Sequence, residues 1–77
     1  MGRLVKFSVV DGNGAGVGGQ TVVAGEASVT TNGSGLGQAL LEDGSTVITV
    51  NGVKVYEGPV AALKPLETFT TAGKRVD

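Results

Sequence analysis

The chain has 77 residues, a formal net charge of −1, 17% charged residues, and neither cysteine nor histidine. This composition excludes a disulfide framework, a thiolate or imidazole metal site, and the clustered Lys and Arg residues that non-specific nucleic-acid binding needs. The length allows one domain with a small core, so we expect added stability from oligomerisation or from docking onto a partner protein.

The sequence also carries expectations about cellular location. No apolar run approaches the roughly 18 residues of a membrane span, and Lys6 interrupts the apolar stretch that a signal peptide would need. We therefore expect a complete protein that is made in the cytoplasm and has no membrane span.

Valine- and threonine-rich runs separated by turn residues predict an all-β fold, a small antiparallel β-sandwich or barrel of six to seven short strands. The first strand is expected from Arg3 to Val10, with Val5, Phe7 and Val9 on one face. Further strands are expected at residues 21–24, 27–31, 36–41, 46–50, 53–57 and 66–71. Residues 60–64 are expected to form a short bridge or a single helical turn.

The domain is expected to span residues 1–71. The polar residues 72–77 are expected to form a C-terminal tail that frays unless a partner holds it.

A glycine-rich segment follows the first strand, with five glycines in residues 11–19. It contains a formal G-x-G-x-x-G, but a dinucleotide site needs a helix after the loop, and Val22 and Val23 make a poor helix start. We expect an inter-strand connection that is mobile in isolation or packs its bare backbone closely against a neighbouring chain. Its first residues resemble those that begin at Asn32, which indicates shared turn chemistry.

The clearest hairpin signal is at Asn51-Gly52, because a type I′ turn needs positive φ at both central residues and Asn-Gly fits this requirement. The register then places Val50 opposite Val53, Thr49 opposite Lys54, Ile48 opposite Val55, and Val47 opposite Tyr56, which shares a face with Lys54. The predicted core consists of Val5, Phe7, Val9, Val22, Val29, Leu40, Ile48, Val50, Val53 and Val55.

The chain offers no convincing catalytic, cofactor or metal site, and we expect no enzyme and no cofactor. The serines have no histidine partner, and Glu42 and Asp43 would point in opposite directions at a strand end. Asp11 and Asn13 lack the further ligands of a calcium loop, although a loose site with carbonyl oxygens stays open as a minor alternative.

Several turn motifs resemble those of small prealbumin-like and carboxypeptidase-regulatory-like β-sandwiches and related bacterial Ig-like modules. The matching residues, within roughly 4–57, are Val10, Asp11, Gly14, Val17, Thr31, Asn32, Gly35, Leu41, Gly44, Ile48 and Val50. The aromatic residue usual after the third turn is replaced by small residues and Leu40. The resemblance implies a non-catalytic module used for display, adhesion or attachment.

A free-standing copy of this size resembles a bacteriophage virion protein, a head decoration or tail accessory made in the bacterial host cytoplasm. Its partners would be its own copies, as a homo-oligomer, or a larger virion assembly. The alternative is an adhesin module that binds carbohydrate or a cell surface. The candidate partner-contact residues are Gly14, Gly16, Gly18, Lys54, Tyr56, Lys74 and Arg75.

Overall fold

A computed structural model describes residues 2–76 of the chain. The strands are β1 (Arg3–Val10), β2 (Thr21–Ala24), β3 (Ala27–Thr30), β4 (Leu36–Leu41), β5 (Ser45–Val50), β6 (Val53–Pro59), β7 (Leu66–Thr70) and β8 (Arg75–Val76). A single 3-10 turn at Val60–Ala62 joins β6 to β7, where a bridge or helical turn was expected.

The strands form two open four-stranded sheets. The first sheet has the order β4-β1-β7-β8, and the second sheet has the order β3-β2-β5-β6. All neighbouring strands are antiparallel except β1 and β7, which run parallel. The predicted all-β class is confirmed as a sandwich, and the strand count of six to seven is corrected to eight in the described part of the chain.

Alternation along β1 determines which side of the first sheet faces the core. Val5, Phe7 and Val9 are fully buried, as predicted, and the Phe7 ring stacks against that of Phe69 at a centroid distance of 6.1 Å. In the second sheet Val22, Ile48 and Val50 complete the buried set that the sequence predicted. These side chains form the layer between the two sheets.

Leu40 was predicted in the core, and this was wrong. Leu40 pairs with Leu4 on the outer side of the first sheet and is 64% exposed, whereas Ala39 and Leu41 face the core. At the inward position Gly37 the room is limited by β3, since a Cβ atom there would lie 2.7 Å from a methyl group of Val29. The pairing of β4 with β1 sets the phase that puts Leu41 inward and Leu40 outward.

The β5–β6 hairpin begins in the predicted register and then departs from it. Val50 pairs with Val53 and Thr49 with Lys54, but an irregularity between Ile48 and Thr49 puts Tyr56 opposite Ile48. A bulge leaves one extra residue on one strand, which here is Val55, and shifts the following side chains by one position. Tyr56 therefore turns towards the core instead of sharing a face with Lys54.

Three other valines of the predicted core lie outside the fully buried set. Val53 is 48% exposed at the start of β6, so its core assignment was wrong. Val55 and Val29 are half-buried and pack against the core from its edge.

Three turns in the fold share one hydrogen-bonding pattern. In the turns that begin at Asp11, Asn32 and Thr70, a side-chain oxygen accepts the N–H four residues later. The fourth residue of each turn is a glycine with φ between 81° and 85°. This is the geometry of a type I turn followed by a left-handed glycine, and it confirms the shared turn chemistry expected at residues 11 and 32.

Candidate functional site

The structure places the seven candidate contact residues in two separate regions. Gly14, Gly16 and Gly18 lie in the loop after β1, whereas the other four lie on β6, on β8 and in the turn before β8. No shared site is formed by all seven.

The glycine loop packs against its own chain. A Cβ atom on Gly16 would clash with the carbonyl group of Ser34, at 2.8 Å from its carbon, and one on Gly18 would lie 2.5 Å from the oxygen of Asn32. The expected close backbone approach is therefore present, but its partner is the turn at residues 32–35 of the same molecule.

The two segments approach closely because both of them bond to the end of β1. The Val9 N–H donates to Gly35 O at 2.8 Å, while Val9 O accepts from the Val17 N–H at the same distance. The loop after β1 and the turn at residues 32–35 are therefore both hydrogen-bonded to the backbone of Val9. Side chains at Gly16 or Gly18 would push these two segments apart. Gly14 does not take part, because a Cβ atom there would meet nothing within 4 Å, and its role is the positive φ of the turn.

Tyr56 and Arg75 come together around a buried carboxylate that the sequence reasoning missed. Glu67 is only 1% exposed, and its two oxygens accept from Arg75 Nε at 2.8 Å and Arg75 Nη2 at 2.9 Å. The Arg75 guanidinium lies 5.1 Å from the centre of the Tyr56 ring, and the Tyr56 hydroxyl donates to Pro59 O. The sequence could have identified Glu67 as an inward-facing carboxylate, since strand alternation places it on the same face as Phe69.

This ion pair holds the C-terminal segment against the first sheet. Arg75 and Val76, which were expected in the polar tail, pair with β7 as β8, and Asp77 lies outside the described residues. That the segment frays without a partner stays a prediction. The short strand has few hydrogen bonds of its own, and the bidentate contact to Glu67 supplies the directional interaction that holds it.

Burial raises the pKa of the Glu67 carboxyl, but its contacts outweigh this effect. The hydrogen bond from Arg75, the backbone N–H of Lys64 at 2.6 Å, and the positive charges of Arg75 and Lys64 together bring its pKa below the ordinary value of 4.5. Glu67 is therefore charged at neutral pH. Tyr56 and Arg75, two of the candidate partner-contact residues, are engaged in contacts within the chain itself.

The remaining candidates, Lys54 and Lys74, lie on the surface. The Lys54 ammonium is 3.2 Å from the Glu57 carboxylate, and both side chains are more than half exposed. Lys74 is an exposed turn residue. Neither is joined to Tyr56 in a common patch, because the bulge in β6 turned Tyr56 away.

The surface that stands out lies elsewhere, on the outer side of the first sheet. We call it the apolar face; its exposed large side chains are Leu4, Leu36, Leu40, Leu66 and Val76. Leu4 and Leu40 are direct cross-strand partners, and Leu66 lies opposite Lys6 on the other side of β1. Lys6 is the one charged residue at the outward positions of these strands within residues 2–76.

The outer side of the second sheet has the opposite character. We call it the hydroxyl face; its outward positions hold Thr21, Ser28, Thr30, Ser45 and Thr49 together with Val23 and Val47, and the Lys54–Glu57 pair lies at its edge. Val47 is its exposed large apolar residue. A sheet that faces water usually carries such polar side chains, so the apolar face is the unusual one.

A cleft of about 430 Å³ opens at the end of the sandwich where β2 and β4 finish. Glu26, Glu42 and Asp43 lie on its rim. Within residues 2–76 no group of three or more acidic residues is arranged to hold a metal ion. The Asp11 carboxylate accepts hydrogen bonds from Asn13 N–H and Ala15 N–H within its own turn.

In the described part of the chain no helix combines the length and hydrophobicity needed to cross a membrane.

Neither a protein-family model, nor a curated protein, nor a solved structure matches this chain. The fold and its surfaces define a class in physical terms: a small all-β sandwich with one apolar outer face and one hydroxyl-rich outer face.

Proposed function

We propose that this chain is a non-catalytic structural module that acts by protein–protein contact through the apolar face. The observation that carries the proposal is the difference between the two outer faces. Contiguous exposed aliphatic side chains on a small domain mark a surface that a partner covers, while scattered single ones do not. Leu4 and Leu40 are direct cross-strand partners on this face, and Leu36 and Leu66 lie on the same side of the sheet with Lys6, Ser8 and Gln38 among them.

We place the module in a bacteriophage virion, as a head-decoration or tail-accessory protein. The resemblance of the turn motifs to those of display and attachment modules supports this setting. The small size also fits a protein that adds to a larger assembly, because a short chain gains stability from a partner. A fold alone does not assign a function, so the particle itself provides the test.

The carbohydrate-binding alternative finds less support in the aromatic residues. Phe7 and Phe69 are fully buried. The Tyr56 ring is half-buried and carries the Arg75 guanidinium over it. Sugar rings commonly stack on an open aromatic face, and none of these three residues presents one.

The proposal predicts that the chain is a component of purified virus particles. Particles produced from a genome that encodes the chain should contain it at a fixed stoichiometry, as measured by quantitative mass spectrometry after density-gradient purification. Particles from a genome that lacks the gene serve as the control and should bind the purified protein when it is added back. Recovery of the chain only in the free fraction, with no rebinding, would overturn the virion assignment.

A further inference from the structure

We infer that the protein surface that covers the apolar face is aliphatic and carries a carboxylate, from Asp or Glu, placed over Lys6. This inference rests on the proposed contact function and names the chemistry of its partner. The observation that carries it is the position of Lys6 among exposed leucines, together with the lack of a partner for its charge within residues 2–76.

Lys6 lies inside the apolar face and not at its rim. It is an outward residue of β1, which has β4 on one side and β7 on the other. Its cross-strand neighbours are Gln38 on β4 and Leu66 on β7, and the preceding outward residue of β1 is Leu4, whose own partner Leu40 is 64% exposed. A partner that covers these leucines therefore also covers Lys6.

The charge of Lys6 is not used within the described structure. The other cations on strands are Arg3, Lys54 and Arg75, and each has an acceptor or a carboxylate of the same chain beside it. Within residues 2–76 the Lys6 ammonium group makes neither an ion pair nor a hydrogen bond, while its backbone N–H donates to Pro65 O in the sheet. The side chain is exposed and available to a group that the partner supplies.

Covering an ammonium group imposes a condition on the partner. The partner removes the water around the charge, and this is costly unless an opposite charge or acceptor oxygens replace it. The aliphatic stem of a lysine packs well beside leucines, while its charged end extends beyond them. The complementary surface is therefore aliphatic around a carboxylate, which accepts charge-assisted hydrogen bonds from Lys6.

A second copy of the chain is poorly suited to this place. Stacked sheets pack about 10 Å apart, so the side chains of both faces share one layer. Two copies packed about a two-fold axis through the centre of the face would put both Lys6 ammonium groups in this layer, and like charges brought together at a contact are unfavourable. The outward positions of the first sheet offer no carboxylate within residues 2–76 to separate them. We therefore expect the purified chain to be a monomer.

The test is binding of the purified protein to virus particles that lack it, comparing the wild type with Lys6→Met, Lys6→Arg and Lys54→Met. Lys6→Met keeps an unbranched aliphatic side chain and leaves the partner carboxylate without a counter-charge, so its dissociation constant should rise by about tenfold or more. Lys6→Arg keeps the charge and should restore most of the binding. Lys54→Met is the matched control, because it removes an exposed cation at the edge of the hydroxyl face, and it should bind like the wild type.

A second measurement on the wild type identifies the partner group and does not depend on the folding of a variant. A zero-length carbodiimide reagent joins an amine to a carboxylate only where the two groups are in contact. Applied to reassembled particles, it should link Lys6 to an Asp or Glu of a particle protein, as identified by mass spectrometry of the cross-linked peptides.

Three results would overturn the inference. Lys6→Met that binds as tightly as the wild type would show that the partner surface is purely apolar or leaves the charge in water. A wild type that dimerises below about 1 mM in sedimentation velocity, with a tighter dimer for Lys6→Met, would show that a second copy covers the face. Reassembled particles in which Lys6 forms no cross-link would show that no carboxylate lies over it.

Failure of the inference and failure of the proposed function are distinguishable. If the wild type binds the particles and Lys6→Met binds equally well, the contact function stands and only the partner chemistry is wrong. A wild type that binds no particles overturns both.

Discussion

Replacing Gly16 by alanine is expected to lower the free energy of unfolding by about 3 kcal/mol, the upper end of the usual cost of overpacking. The added Cβ atom would meet the backbone of Ser34, and a backbone segment that is hydrogen-bonded to β1 has little room to move. For a domain of this size the melting temperature should fall by roughly 12–24 °C. Thermal unfolding followed by circular dichroism measures the change.

Two other glycines of the same loop provide matched controls. A Cβ atom on Gly12 would meet nothing within 4 Å, so Gly12→Ala should be neutral or stabilise the fold by up to about 1 kcal/mol through the unfolded chain. Gly14→Ala also has free space but needs a φ of 85°, which should cost about 1–2 kcal/mol. If Gly16→Ala melts at the temperature of Gly12→Ala, the loop is only a spacer and the account of its packing is wrong.

Removing the Glu67 side chain is the second change with a large expected effect. Glu67→Ala should cost about 3 kcal/mol, because it takes away the two hydrogen bonds that Arg75 donates to Glu67 and removes the carboxylate from beside a partly buried guanidinium. The chain is expected to have a total unfolding free energy of about 4–12 kcal/mol, so this is a large fraction of it. Urea unfolding at pH 7 measures the loss, and exchange of the Val76 amide proton reports release of β8.

The surface pair gives the control for Glu67. Glu57→Gln breaks the exposed contact with Lys54 and should change stability by no more than about 1 kcal/mol. Equal effects of Glu67→Ala and Glu57→Gln would show that the buried pair does not stabilise the C-terminal strand.

The Glu67 ion pair also predicts a dependence on pH. Because the folded-state pKa of Glu67 is below 4.5, its ionised form stabilises the fold above that pH, and this contribution is lost as the pH falls through the folded-state pKa. The difference in stability between the wild type and Glu67→Gln should therefore shrink below pH 4.5. A difference that stays constant from pH 7 to pH 3 would contradict the assigned pKa direction.

Most strand positions could be predicted from the sequence because turn residues separate them clearly. β1, β2 and β4 have the expected bounds, and the Asn51-Gly52 turn sets the first two pairs of the hairpin. The bulge beside Ile48 could not be predicted, since it depends on how Tyr56 fits against the core and against Arg75. The phase of β4 was also ambiguous, because both Leu40 and Leu41 are suitable core residues and only pairing with β1 decides between them.

The candidate surface was harder to predict than the strands. The apolar face depends on bringing Leu4, Leu40 and Leu66 from three strands to one side of a sheet, and the parallel pairing of β1 with β7 is not visible in local sequence. The glycine loop attracted attention for its composition, yet it contacts residues 32–35 of the same chain. The glycine composition indicated a place where bare backbone is needed, and the structure shows that the segment packed against it belongs to the same chain.

The most direct test of the central claim compares one charge substitution on each outer face. Leu66 and Val47 are 48% and 39% exposed at strand positions of opposite sheets, so Leu66→Glu and Val47→Glu should both fold. Each variant is mixed with wild-type protein and added to particles that lack the chain, and the bound fraction is measured by mass spectrometry. We predict that Leu66→Glu is excluded from the particles while Val47→Glu competes as well as the wild type. Normal binding of Leu66→Glu together with loss of Val47→Glu would contradict the assignment of the apolar face as the contact surface.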